Sequence, residues 1–355
     1  MEKTAGIPTI YDVAREAGVS RATVDRVIYK RGGVSDKTVF RVKETIARLG
    51  YTTNPLASRL ASKKELTISV LIPRFVPGEY WSVAYDGFVE GARSAKNYDI
   101  ALDMHLYDPD SIESFREESE QILANKPSGV IVNVVFIDEV KRFAGRLDAA
   151  GIPYAFVDQK IDGLNYKVYY GANPREAGIL GAYLLTHRMD VREIAMIRII
   201  RDARQQAEPN RVRRNGFLDY ISEHYPWCKV HTVFIHPDKP EETEGILESF
   251  FRAHPKTKHV TMLNSRIFLI ANYLRTHPDP ERHVVGFDDL EMNLEALREG
   301  LVEYLVTRNI PMQSYFTLVR FAEAIVGSGA DVNKDNYMHM DILHRLNCRD
   351  YEFKV

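Results

Sequence analysis

At 355 residues, 45% hydrophobic and 27% charged, the chain is too long for one ordinary domain and has the balance of a folded globular protein, not a disordered or collagen-like one. Two cysteines, Cys228 and Cys348, exclude a disulfide framework and a four-cysteine zinc site. The net charge of −2 conceals an asymmetry: residues 1–64 carry 13 Lys/Arg against 6 Asp/Glu, net +7, and residues 65–355 carry net −9. A basic head on an acidic body implies a polyanion-binding module on a separate domain. The N-terminal run MEKTAGIPTI lacks the apolar stretch of a signal peptide, and no segment reaches 18 uncharged apolar residues. A cytoplasmic chain with no membrane partner is therefore expected.

The first elements are three short helices. Thr9 is placed to cap the first, with Asp12 three residues on as the capping-box acid and Ile10, Val13, Ala14 and Ala17 as the inward stripe. Gly18 supplies a turn, and Ser20 caps a second helix reaching about Tyr29, with Val24, Val27 and Ile28 inward. A third helix starts near Ser35, carries Val39, Val42, Ile46 and Leu49 inward, and stops at Gly50. Two such helices joined by a glycine turn and braced by a third describe a helix-turn-helix reader of double-stranded DNA. Asn54 and Pro55 then open a segment able to form one or two further helical turns.

From Leu66 onward apolar runs of five to seven residues alternate with helical patterns. Strands are expected at 66–73, 100–107, 129–136, 152–158, 167–172, 193–200, 229–236, 259–265 and 283–289, with a helix around 80–96. So many βα units exceed one sheet, so two α/β lobes are expected, breaking near 162–174 and linked by later crossovers. Ligands of such folds sit beyond the carboxyl ends of strands, between the lobes. Tyr80 and Trp81, in the loop after the first strand, could stack on a sugar face or merely pack at a helix start. Asp158 ends one strand, and Asn173 follows another at the lobe entry.

Signatures of catalysis or cofactor binding are missing: the sequence contains no G-x-G-x-x-G, P-loop, G-x-S-x-G or H-E-x-x-H. His224, His231 and His236 lie close together in sequence but span a helix end and a strand, and read as surface or loop histidines. No metal, no cofactor and no catalytic residue is expected.

The run from Pro8 to Lys64 resembles the N-terminal headpiece of the LacI/GalR family of bacterial transcription regulators, through D-V-A-x-x-A-G-V-S, T-V-x-R-V, G-Y after the third helix and N-P-x-A. Residues 66–345 resemble, more loosely, the two-lobed periplasmic-binding-protein-like core joined to such headpieces. The resemblance implies an N-terminal all-α helix-turn-helix headpiece at 1–53, a hinge helix at 54–64, and a two-lobed effector-binding and dimerisation domain at 65–355. Arg21 and Ala22 then hold base-reading positions, arginine suiting guanine and alanine a thymine methyl. Tyr11, Ser20, Thr23 and Arg26 would touch phosphates. Asp25, where many members have serine, is unfavourable near phosphate unless Arg21 or Arg26 pairs with it. In the hinge, Leu60 matches the family's minor-groove wedge, with Asn54 capping and Ala57 permitting close approach.

In the body, Arg213 stands three residues before Gly216 and matches the family's ligand-clamping arginine in R-x-x-G-[FW]. Asp288 matches its effector-binding aspartate, and Asn264 the asparagine of an N-D pair whose aspartate is here Ser265. Arg308 stands where glutamine is frequent and Asn173 where aspartate is frequent. Two lost polar or acidic partners and an added cation favour a sugar acid or sugar phosphate over a neutral sugar, which stays among the effectors implied. The function implied is a sequence-specific transcription regulator of the repressor kind, a homodimer on a near-palindromic operator, controlled by a small carbohydrate-like effector between the lobes. A transport-type sugar-binding protein and a sugar-modifying enzyme are the alternatives.

Overall fold

The computed structural model describes residues 8–28, 32–51, 65–187, 189–199, 210–327 and 332–348. Asn54, Ala57 and Leu60, with the rest of the expected hinge, lie outside the described residues. The chain divides into two compact units, Met1–Lys63 and Lys64–Val355.

In the first unit α1 spans Ile10–Glu16, α2 Arg21–Ile28 and α3 Asp36–Leu49. The capping box forms as its residues dictate: the Asp12 amide donates to the Thr9 hydroxyl, and the Thr9 amide donates to the Asp12 carboxylate at 2.9 Å. The Thr23 amide donates to Ser20 Oγ at 3.2 Å at the start of α2. Gly50 ends α3 in the left-handed conformation, φ 63°. Val13, Ala14, Ala17, Val24, Val27 and Val42 close a small core among the three helices.

The second unit contains two six-stranded sheets. The first is built from β1 (Leu66–Pro73), β2 (Ile100–Tyr107), β3 (Gly129–Asn133), β4 (Tyr154–Val157) and β5 (Tyr169–Gly171). The second is built from β6 (Glu193–Ile199), β7 (Lys229–Ile235), β8 (His259–Met262), β9 (His283–Phe287) and β10 (Tyr304–Thr307). Short edge strands complete them: β11 (Asp335–Tyr337) beside β5, and β12 (Asp341–Leu343) antiparallel to β10. The strand orders are β11-β5-β4-β3-β1-β2 and β12-β10-β9-β8-β6-β7. The runs read as strands from the sequence are all strands, most of them one to three residues shorter. The sequence reading missed β10, β11 and β12, which are three or four residues long and partly polar, too short for a periodicity to register.

The chain passes between the sheets three times. It leaves the first after β5 through the helix Pro174–Thr186, returns after β10 through the helix Ile310–Val326, and crosses again between β11 and β12. Two helix pairs that frame the passage touch backbone to backbone. A Cβ on Gly87, in the helix Tyr80–Ser94, would lie 2.1 Å from the carbonyl oxygen of Pro311. A Cβ on Gly178 would lie 1.9 Å from that of Arg213, and one on Gly216 2.2 Å from that of Arg175. Only glycine allows the helices Pro174–Thr186 and Arg211–His224 to meet this closely. Among the described residues no helix is long and apolar enough to cross a membrane.

Candidate functional site

Each sheet reverses its strand order once, between β1 and β3 and between β6 and β8. Crevices of doubly wound sheets open at such reversals, beyond the carboxyl ends of the strands. Both reversals border one cavity of about 640 Å³, lined from the first sheet by the residues after β1, β3 and β4 and from the second by those after β6, β8, β9 and β10.

The two lobes meet at Arg308, which follows β10. Its Nε and Nη2 donate to the two oxygens of Asp288 at 2.9 Å each, and its Nη1 donates to Asp158 Oδ1 at 2.7 Å. Asp158 follows β4 in one lobe and Asp288 follows β9 in the other, with the same left-handed backbone, φ 66° and 67°. Asp tolerates this conformation better than most residues, and it turns both carboxylates inward at equivalent points of the two sheets. Burial works against the Arg308 charge, but the carboxylates of Asp288 and Asp158 more than offset it and raise its pKa well above the ordinary value. The Tyr80 hydroxyl donates to the same Asp158 oxygen at 2.8 Å, and the Tyr80 ring lies 5.2 Å from the Arg308 guanidinium. Burial holds the Tyr80 phenol well above its usual pKa, so it is a donor at any ordinary pH.

Arg213 contrasts with Arg308. Its Nη1 donates to the Leu263 carbonyl at 2.8 Å and its guanidinium lies 4.8 Å from the Phe287 ring centroid. Its Nε is buried without a hydrogen-bond partner, although the side chain is only 3% exposed. Burial pulls its pKa down to about 10, which leaves it charged at neutral pH. A buried cation with an unsatisfied donor beside a cavity is costly unless a ligand completes it. Among the described residues the cavity lining holds six arginines, at 74, 198, 213, 214, 266 and 308, against three carboxylates, Glu79, Asp158 and Asp288. Two of those three carboxylates are already bonded to Arg308. Chemically the cleft is suited to an anion that also carries hydroxyls.

The expected ligand residues Tyr80, Trp81, Asp158, Arg213, Asn264, Asp288 and Arg308 all line this cavity. Their parts differ from the sequence reading in several places. Arg308 is bonded to protein carboxylates on three of its nitrogens, so it joins the lobes before any ligand arrives. Tyr80 is bonded to Asp158, while Trp81 packs partly against the first lobe's core. Asn264 Oδ1 accepts from the Arg266 amide at 2.9 Å. Asn173 does not line the cavity: its side chain accepts from the amides of Arg175 and Glu176 and caps the helix Pro174–Thr186. The sequence reading missed a second link between the lobes, Arg266 to Glu79 at 3.1 Å, for which no motif exists. His224, His231 and His236 do not converge: His224 faces the Tyr220 carbonyl and His236 pairs with Glu242.

On the first unit Tyr11, Ser20, Arg21, Ala22 and Arg26 are exposed and Thr23 is half-buried. Arg21 donates to the Tyr11 hydroxyl at 3.0 Å, and its Nε lies 4.0 Å from Asp25 Oδ2. Asp25 and Arg21 thus stand at the outer limit of an ion pair.

Residues 9–54 match the model of bacterial regulatory proteins of the lacI family, and residues 68–328 match that of the periplasmic binding protein domain. The chain belongs to the periplasmic binding protein domain family and carries a lacI-type helix-turn-helix domain ahead of it. Catabolite control protein A of Streptococcus mutans is 47% identical over 94 residues, which cover 26% of this chain and 28% of that protein. Matched segments span between 20% and 36% of the length of the catabolite control proteins it resembles. A solved chain described as a LacI transcriptional regulator from Bacteroides fragilis superposes with TM-score 0.76 at 28% identity, over 81% of this chain and all of that one. A glucose-galactose binding protein from Geobacillus stearothermophilus shares the fold, with TM-score 0.67 and 18% identity over 81% of this chain and all of that one. The fold is thus the two-lobed α/β core with an N-terminal helix-turn-helix that the lacI family implies.

Proposed function

We propose that the chain is a cytoplasmic, homodimeric transcription regulator whose affinity for a near-palindromic operator is set by a small anionic carbohydrate bound between the lobes. The observation that carries this reading is the cleft: an incompletely bonded Arg213 inside a cavity where, among the described residues, arginines outnumber carboxylates two to one. Arg213 receives the acid or phosphate group. Tyr80 and Trp81 offer aromatic faces to the sugar, and Asn264 and the free lone pairs of Asp158 and Asp288 accept its hydroxyls. On DNA, Arg21 and Ala22 read base edges, while Tyr11, Ser20, Thr23 and Arg26 fix register on phosphates. Asn54, Ala57 and Leu60 belong to the hinge, whose leucine enters the minor groove.

Control follows from linkage. Arg308 already joins the lobes through Asp158 and Asp288, so a ligand that competes for those carboxylates, or extends the network through Arg213, favours one lobe arrangement over another. Whatever factor the effector imposes on operator affinity, the operator imposes on effector affinity. The chain has no catalytic residue or cofactor in this reading. A transport-type binding protein would have no use for the basic helix-turn-helix unit.

The test is selection of duplexes from a random pool with the full chain, followed by binding isotherms. A near-palindromic consensus bound at least about a thousandfold more tightly than random DNA is expected. Leu60→Ala should weaken binding to that consensus more than to random DNA. Recovery of no consensus, or equal losses on both DNAs, contradicts the reading.

A further inference from the structure

Away from the cleft, at the amino ends of β6 and β7, three side chains from separate parts of the chain converge. Glu193 opens β6, His231 lies on β7, and His254 ends the helix Pro240–Ala253. One donor atom from each lies within 4.8 Å of the other two. His231 Nε2 is 3.5 Å from Glu193 Oε2, close to the ligand–ligand spacing of roughly 3.3 Å around a tetrahedral ion with bonds near 2.0 Å. That nitrogen is buried and makes no hydrogen bond, and the His231 side chain is only 10% exposed. The two imidazole centroids are 4.4 Å apart, and Phe250 packs against both rings. Thr257 Oγ1 donates to Glu193 Oε2, which orients the carboxylate from behind as the outer partners of metal ligands do.

We propose that Glu193, His231 and His254 bind one divalent transition-metal ion of the zinc class, with two imidazole nitrogens, one carboxylate oxygen and a fourth position open to water. Two nitrogen donors favour zinc, cobalt or nickel and disfavour magnesium and calcium, which select oxygen. An ordinary histidine–carboxylate ion pair accounts less well for the geometry, because at 3.5 Å His231 Nε2 is too far from Glu193 for a good hydrogen bond while a second imidazole is held beside it. The site lies at the opposite end of β6 from the cleft, six residues or roughly 20 Å away, so it is a separate site from the one proposed for the effector. Lys229 is exposed two residues before His231 on the same face of β7, and its positive charge opposes an incoming cation.

The experiment uses the untagged full chain, stripped with a chelator and dialysed, then titrated with cobalt(II) and followed by visible absorption. One equivalent should bind with the intense d–d bands of a low-coordinate ion, be displaced by zinc(II), and be insensitive to excess magnesium. His254→Gln should weaken cobalt binding at least tenfold. Because His254 sits half-buried at a helix end, this variant should keep the metal-free melting temperature and rule out misfolding as the cause. Lys229→Gln should tighten binding, a result that a purely structural role for the histidines does not give. His283→Gln, altering a histidine that faces Glu303 on the same sheet, should leave the titration unchanged. Absence of d–d bands at millimolar cobalt, or a titration unaffected by His254→Gln, overturns the proposal.

Discussion

The two lobes of the body repeat one topology but line the cleft with opposite chemistry. Both run five parallel strands in the same order and end the fourth on an inward aspartate with a left-handed backbone, Asp158 in one and Asp288 in the other. Among the described residues the first lobe then adds Tyr80 and Trp81 with a single arginine at 74. The second adds five arginines, among them Arg213 with its unbonded Nε, beside the rings of Phe234 and Phe268. Backbone geometry thus fixes where polar groups enter the cleft, and the side chains chosen at those points fix what charge the ligand must carry. In the function proposed above, one lobe would face the sugar ring and the other would clamp its anion.

Arg308 is where this contrast is easiest to break, because it belongs to one lobe and is bonded to the aspartates of both. Arg308→Gln leaves two buried carboxylates without their cation and should destabilise the body by about 3–5 kcal/mol, seen as a drop in the chemical-denaturation midpoint. Adding Asp288→Asn should recover part of that loss, since it removes one of the stranded charges. Equal stability of wild type and Arg308→Gln would mean that the bridge is not formed.

Arg213→Ala is the next largest expected effect and is confined to ligand binding. Removing a charged, multiply bonding donor should cost the effector about 2–3 kcal/mol, roughly 30- to 150-fold in affinity by calorimetry, with operator affinity in the effector-free state unchanged. Gly178→Ala perturbs the same residue from behind. The added methyl meets the Arg213 backbone carbonyl, so a stability loss of about 1–3 kcal/mol and a shifted effector affinity are expected together. If Gly178→Ala lowered stability and left effector affinity untouched, Arg213 would not be the ligand clamp.

The smallest effect separates the lobes by pH. In the second lobe burial, with the neighbouring His283, lowers the pKa of His259 to about 4. The unfolded chain binds a proton near pH 6.5 that the native state refuses until about 4, so stability is lost as pH falls across that window. Solvent screening at this partly exposed ring keeps the contribution to about 1 kcal/mol at most. His259→Gln should flatten the acid limb of a melting-temperature profile by that amount, and an unchanged limb would contradict the assignment.

Much of this was legible in the residues. The headpiece announces itself because its signals are local: Thr9 and Asp12 three apart, Gly18 and Gly50 at chain reversals, and valines at helical spacing. Arg213 lines the cavity, where the family resemblance puts it, and the Gly216 of the same motif is the residue that lets its helix approach Arg175. What did not register is what depends on distant segments meeting. The bond between Arg308 and Asp158 spans 150 residues, and the contact of Glu79 with Arg266 spans 187. Asn173 looked like a ligand residue because a strand end and a helix cap read alike in one dimension. The trio Glu193, His231 and His254 was hidden for the same reason, whereas three histidines close in sequence drew attention and prove to be apart.

The most direct test is a calorimetric titration of the full chain with a hexose, the corresponding sugar acid and the corresponding sugar phosphate, each with and without the selected operator. An anionic member should bind at least tenfold more tightly than the neutral parent, and operator should change that affinity by the same factor by which the ligand changes operator affinity. Equal binding of the neutral sugar, or ligand affinity indifferent to operator, would contradict the account.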